Sequence, residues 1–310
     1  MRERVNLSSW RSPEAEERFR LLEDELVRDL VARPPTPIDV ATRLGRTRAY
    51  RWDGRGEPIV FLHGSGGTGA MWAPYAERLG ERAMVAVDTI GDVGRSHQRV
   101  AVDGADDLAG WLGETLDGLG LDRVDLAGTS YGGFLALNLA ARRPARVRSL
   151  LLVDPVGIVP VRLLRFMLWG VPTLLASLLP GPPRRVAAKI LRMPLLEDER
   201  VLRLALYAQV NHRTRLLRPD PLSDDQLRSI EQPVMLILGA KSQVVPAAEV
   251  RARVEALLPR VEVDVVPGAG HAVALSHLAR ITDRMATFPR GQDDGAGGGA
   301  APPGPTPNAG

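Results

Sequence analysis

Gly128-Thr129-Ser130-Tyr131-Gly132 has the spacing G-x-S-x-G, and that spacing has a mechanical meaning. A predicted strand at 124–127 precedes it and a helical, apolar stretch at 134–141 follows, so the serine lies on a strand-to-helix turn. So sharp a turn strains the serine backbone and lifts its hydroxyl above the strand end, at a helix N-terminus. Side chains two residues before and after it would collide across the turn, and glycine removes them. A hydroxyl presented this way suits nucleophilic attack, provided a base and a pair of oxyanion donors are at hand.

Both are present in the chain. Phe61-Leu62-His63-Gly64-Ser65-Gly66-Gly67 follows an apolar run at 58–62. A glycine loop there turns a backbone N–H, that of Ser65, toward the nucleophile. With the N–H of Tyr131 it forms a two-donor oxyanion hole. His63 stands before the loop, where a ring serves better to hold loop backbone than to move protons. No Lys-Ser/Thr pair follows the glycines, so they do not read as a phosphate cradle. Val266-Pro267-Gly268-Ala269-Gly270-His271 is the third group: small residues let a loop bring His271 over the sheet edge to Ser130 as general base. His277 falls on the next helix and reads as a solvated residue.

These groups need a scaffold, and the apolar patterning supplies one. Strands are predicted at 46–52, 58–62, 83–87, 122–127, 147–153, 233–239 and 260–266, and helices at 70–80, 103–119, 131–143, 247–258 and 272–288. The runs at 147–153 and 234–238 are nearly all apolar, as in strands covered on both faces by helices. Strand and helix alternate, which predicts an α/β fold with a mostly parallel, doubly wound sheet. The expected organisation is an N-terminal helical extension over 1–44, a core of 45–156 and 232–290, a helical cap over 157–231, and a disordered Gly/Pro-rich tail at 291–310. The uncharged stretch 166–183 meets the lower length limit for a membrane span. It is broken by Gly170, Pro172, Pro180, Pro182 and Pro183 and lies between two strands of one sheet, so apolar cap helices are expected, with contact at a membrane surface as the residual reading.

Composition removes whole classes of function. Among 310 residues, 40 Lys and Arg against 37 Asp and Glu leave +3, spread without long like-charge runs, so no nucleic-acid partner is expected. With no cysteine, disulfides, thiolate metal sites and a cysteine nucleophile are excluded. The five histidines show no metal-binding spacing, and neither metal nor organic cofactor is expected. The first residues, Met1-Arg2-Glu3-Arg4, lack the apolar core of a secretory signal, which predicts a cytoplasmic protein. Oligomeric state is not legible.

Taken together, the motifs around His63, Ser130 and His271, with Asp88-Thr89-Ile90-Gly91-Asp92-Val93-Gly94-Arg95-Ser96, resemble the α/β-hydrolase superfamily in its capped carboxylesterase-like branch, over about residues 45–289. Ser130 preceding His271 is the order of that fold. The resemblance implies a helical cap inserted after the sixth strand, and a structural role for the Asp88 stretch, whose glycines turn the chain while Asp88 ties the loop. It also implies an acid three residues past a glycine after the seventh strand. Here that position is Ser242, in Gly239-Ala240-Lys241-Ser242, and serine does not carry the charge that stabilises an imidazolium. Relatives such as the haloalkane dehalogenases take the acid from the end of the sixth strand, which here ends in Asp154-Pro155, so Asp154 is the first choice. A cap acid such as Asp220, or a Ser–His dyad without an acid, are the alternatives.

The expected activity is hydrolysis of a carboxylic ester of a small to medium apolar substrate through an acyl-enzyme, with Phe166 and Trp169 of the cap lining the substrate pocket. Amide, lactone, thioester and carbon–carbon cleavage remain open to the same machinery. Arg162 and Arg165 read as a solvated helix face rather than as carboxylate ligands. The rival reading is a non-hydrolytic ligand-binding or biosynthetic protein on this fold, which draws its weight from Ser242.

Overall fold

A computed structural model describes residues 7–287, without the side chains of 163–166. In chain order it comprises β1 (Ser9–Trp10), α1 (Pro13–Leu30), β2 (Thr36–Thr42), β3 (Gly45–Trp52), β4 (Arg55–Leu62), α2 (Ala73–Leu79), β5 (Arg82–Val87), β6 (His97–Gln98), α3 (Ala105–Gly118), β7 (Val124–Thr129), α4 (Tyr131–Arg142) and β8 (Val147–Val153). There follow α5 (Leu163–Ser177), α6 (Gly181–Leu191), α7 (Glu199–Asn211), β9 (His212–Arg213), α8 (Asp224–Arg228), β10 (Val234–Gly239), α9 (Ala247–Leu257), β11 (Val261–Val266), α10 (Val273–Ser276) and α11 (Leu278–Thr287).

The main sheet runs β2-β3-β5-β4-β7-β8-β10-β11. Every pairing from β5 through β4 to β11 is parallel, while β3 pairs antiparallel with β2, β5 and the short β6. The most apolar strands take the centre: every residue of β7, β8 and β10 is buried, the few polar ones such as Asp125 and Ser149 included. One face packs on Leu108, Trp111 and Leu112 of α3, Leu135 and Leu139 of α4, and Val250 of α9. The other packs on Val27 of α1, Tyr75 of α2, Val273 of α10, and Ile281 and Met285 of α11. Strand ends on this doubly wound sheet therefore open toward one carboxyl edge, where β4, β7, β8 and β10 deliver their loops. The chain leaves the sheet after β8, the sixth of its eight main strands, for α5–α8, and returns at β10.

Two segments depart from the expectation. The first 44 residues are not a helical extension throughout: residues 36–42 form β2, the sheet's outermost strand, in register with β3 from Thr36↔Arg51 to Thr42↔Gly45. Pro37 is tolerated there because an edge strand leaves one row of N–H groups unpaired, and the alternation of Ile38 and Val40 toward the core is the signal that the prolines obscure. The helix expected over 272–288 is broken at His277 into α10 and α11. The tail at 291–310 lies outside the described residues.

Helix α1 starts as its sequence dictates, with Ser12 Oγ accepting from the Ala15 N–H at 3.2 Å and proline in its first turn. It buries Phe19, Leu22 and Leu26, and with them Glu23, an acid on the apolar stripe. Glu23 Oε2 forms an ion pair with Arg95 Nε at 2.7 Å, and the Tyr50 hydroxyl lies 3.2 Å from both Glu23 Oε2 and Asp88 Oδ2. Burial first, then the neighbouring Asp88, pushes the Glu23 carboxyl above its ordinary range; burial does the same to Asp88. Arg95 is the cation that keeps this pair tolerable. Arg95→Met should therefore cost about 3–5 kcal/mol of unfolding free energy, and Glu23→Leu in the same chain should recover most of it, because an apolar replacement removes the orphaned charge. Urea denaturation of the single and double variants checks this; equal stability of the two would contradict it.

Candidate active site

Strand β7 ends at Thr129 and α4 starts at Tyr131, leaving Ser130 alone to make the turn at φ 49° and ψ −112°. That is a left-handed backbone for a non-glycine residue, the strain expected of the sequence pattern. It is held by the Ser130 N–H donating to Val153 O at 3.0 Å, from the neighbouring strand. The flanking glycines are required by contact: a Cβ at Gly128 would lie 2.5 Å from Gly132 O, and one at Gly132 would lie 2.1 Å from Leu62 O. The loop after β4 runs beside the serine, with the Gly64 backbone against Ser130 Cβ.

The structure brings Ser130, His271 and Asp154 together. His271 Nε2 lies 2.9 Å from Ser130 Oγ, and His271 Nδ1 lies 2.6 Å from Asp154 Oδ2. A carboxylate accepts, so Nδ1 donates to Asp154 and Nε2 keeps its lone pair toward the serine hydroxyl. Asp154 sits just past β8, also at positive φ (46°), and is fully buried. Both its oxygens are used: Oδ1 accepts from the Gly239 N–H at 3.0 Å, and Oδ2 also accepts from Ser242 Oγ at 2.5 Å. Asp220, the cap alternative, is exposed and paired with Arg218 at 3.1 Å.

Ser242 is the residue that sequence reasoning undervalued. It is nearly buried, donates to the acid, accepts from the Val245 N–H at 3.1 Å, and lies 3.5 Å from His271 Nδ1. Its position after β10 was the available signal: a hydroxyl at the fold's usual acid position is beside the same histidine, and so beside any acid that replaces it.

The glycine loop is held from below. His63 is buried; its Nδ1 donates to Gly64 O at 2.8 Å, and its Nε2 accepts from the Thr89 N–H at 2.9 Å. The accepting nitrogen requires a neutral ring, and burial lowers the His63 pKa accordingly. Asp92 accepts from the Gly66 N–H at 2.9 Å and the Val93 N–H at 2.8 Å. Neither Ser65 N–H nor Tyr131 N–H has an acceptor among the described residues.

Burial pushes the Asp92 carboxyl up to about 6. Between the ordinary carboxylate pKa and this value the folded chain binds the extra proton, so Asp92 subtracts stability as pH rises through that window. Relative to the native chain, Asp92→Asn should gain roughly 3 kcal/mol of unfolding free energy between pH 4 and pH 7. Parallel stability–pH curves for the two proteins would contradict this.

Helices α5 and α6 border the histidine. The Trp169 ring stands edge-on to the His271 ring at 6.2 Å, and its Nε1 donates to Leu191 O at 3.2 Å. Arg192 Nε donates to Gly268 O at 3.0 Å, and the His271 N–H donates to Gln243 Oε1 at 3.1 Å. From the far side the Tyr131 hydroxyl donates to Leu217 O at 3.1 Å. Arg162 pairs with Glu249 at 2.6 Å rather than facing the site. The side chains of Phe166 and Arg165 lie outside those described.

A strained serine between a parallel strand and a helix, with a histidine and a buried acid from later strand ends, defines an α/β-hydrolase. The chain belongs to the alpha/beta hydrolase family, whose model matches residues 59–284. Over 261 residues it is 27% identical to carboxylesterase YbfK of Bacillus subtilis (strain 168), covering 80% of this chain and 86% of that one. Over 255 residues it is 26% identical to a 2-hydroxymuconate semialdehyde hydrolase of Pseudomonas putida, covering 76% and 88%. The crystal structure of a naproxen esterase (carboxylesterase NP) from Bacillus subtilis superposes with a TM-score of 0.74 at 22% identity, over 89% of this chain and 98% of that one, a likeness of fold. The family match and the likeness to the carboxylesterase set the chain in the carboxylesterase-like branch of the family.

Proposed function

We propose that the protein is a serine carboxylesterase acting on an ester with an apolar acyl or alcohol group, with α5–α8 as a cap over the site. The observation that carries the reading is the unbroken hydrogen-bonded line from Ser130 through His271 to Asp154. Ser130 Oγ attacks the ester carbonyl while His271 Nε2 takes its proton. The new oxyanion is held by the N–H groups of Ser65 and Tyr131, both without an acceptor among the described residues. The tetrahedral adduct collapses, the carbon–oxygen bond to the alcohol breaks, and His271 returns the proton to the leaving oxygen. Water then attacks the acyl-serine, His271 takes its proton, and the acid leaves as Ser130 regains its hydrogen. Asp154 keeps Nδ1 protonated and aligned throughout. The non-hydrolytic alternative draws its weight from Ser242, and the contact of Asp154 with His271 supports hydrolysis over it.

A panel of short- and medium-chain aryl esters tests the reading. Turnover well above the background rate, saturable and lost with the serine, is the expected result. No turnover of aryl esters, alongside turnover of a vinylogous 1,5-diketone, would move the assignment from ester to carbon–carbon cleavage.

A further inference from the structure

The outer surface of α5 and α6 is unlike the rest of the molecule. Among the described residues, nine of the thirteen exposed large apolar side chains fall between residues 167 and 190. They form a stripe rather than a scatter: Leu168, Val171, Leu175 and Leu178 recur at helical spacing with 69, 51, 61 and 72% of their surface exposed, and Val186 and Ile190 extend it on α6 at 59 and 69%. The segment's own charge is also one-sided, although two of its cations, Arg162 and Arg184, pair with Glu249 and Glu199 outside it. Residues 155–196 contain Arg162, Arg165, Arg184, Arg185, Lys189 and Arg192 and no Asp or Glu. Arg185 and Lys189 alternate with the exposed Val186 and Ile190, and neither has an acidic partner among the described residues.

From the apolar stripe and its uncompensated cations together, we infer that this face docks on an anionic lipid bilayer. Apolar side chains enter the headgroup boundary while flanking Lys and Arg meet lipid phosphates, the arrangement of a helix lying in an interface. The face lies on the bilayer and does not cross it: no helix among the described residues is long and apolar enough to span. A second copy of the chain fits poorly, since a two-fold contact would set cations against cations with no acid in the patch. The stripe is joined to the chemistry, because α5 presents Trp169 to His271 on its other side. Resting on the esterase reading, the inference extends to substrate: an acyl ester resident in the bilayer, entering beneath α5.

Flotation of the full chain with phosphatidylcholine vesicles, with and without phosphatidylglycerol, reads the docking directly. Binding should require phosphatidylglycerol and weaken with salt. It should fall about tenfold or more in Arg185→Gln/Lys189→Gln, and further in Leu168→Gln/Leu175→Gln/Leu178→Gln. Hydrolysis of a water-soluble aryl ester should be unchanged in both variants, which also shows that they fold. Absence of vesicle binding by the native chain, or binding indifferent to both variants, would overturn the inference. So would a dimer in light scattering that the triple leucine variant dissolves, which would assign the face to a second copy. Vesicle binding without any ester hydrolysis would leave docking established and remove the esterase reading, so the two fail separately.

Discussion

Ser130→Ala should lower kcat for ester hydrolysis by about four orders of magnitude or more while leaving the fold intact. Only a hydroxyl is lost, from a partly exposed turn whose backbone is held by the Val153 carbonyl and by glycines on either side. His271→Ala should match it, and the double variant should be no worse than either single one, because nucleophile and base act as a unit. Steady-state kinetics with an aryl ester and near-ultraviolet circular dichroism separate chemistry from folding. A Ser130→Ala protein that keeps more than a small fraction of kcat would show that another group attacks.

The second large effect belongs to the acid. Asp154→Asn keeps the shape of the side chain but replaces an acceptor with an amide able to donate, which favours the imidazole tautomer with its proton on the wrong nitrogen. The expected loss in kcat is about a hundredfold or more. Ser242→Ala removes one donor to Oδ2 and the acceptor of the Val245 N–H, and a loss of about tenfold or less is expected from one hydrogen bond. Ser242→Asp combined with Asp154→Asn should restore part of the activity. The present hydroxyl already lies 3.5 Å from His271 Nδ1, so a carboxylate there reaches the same ring. Near-normal turnover by Asp154→Asn alone would remove Asp154 from the mechanism.

Much of this site was legible because its parts are short-range. The Gly128-to-Gly132 pattern specifies a turn whose geometry follows from sterics, and the apolar runs at 147–153 and 234–238 are buried strands in the structure as expected. Asp154 was reachable through the resemblance, which implies that an acid missing after the seventh strand is supplied from the end of the sixth, here Asp154. What stayed hidden depends on pairing across the chain. Strand β2 is an edge strand whose prolines mimic a linker, and its identity comes from β3. Glu23 signals its burial only by standing beside Phe19, Leu22 and Leu26, and its partner Arg95 is 72 residues away. Asp92 was visible within a loop motif, but its support of Gly66 arises from two loops meeting at the sheet edge. Ser242 was read as an absence of acid, whereas in the folded chain it is a donor to the acid that took its place.

The central claim is an activated nucleophile at residue 130, and covalent capture tests it most directly. A serine-reactive fluorophosphonate added to the native protein should attach once, with peptide mass spectrometry placing the phosphonyl group on Ser130. Labelling should be abolished in Ser130→Ala and slowed by orders of magnitude in His271→Ala. A folded native protein that resists the reagent, or one labelled at another residue with Ser130 untouched, would contradict the account.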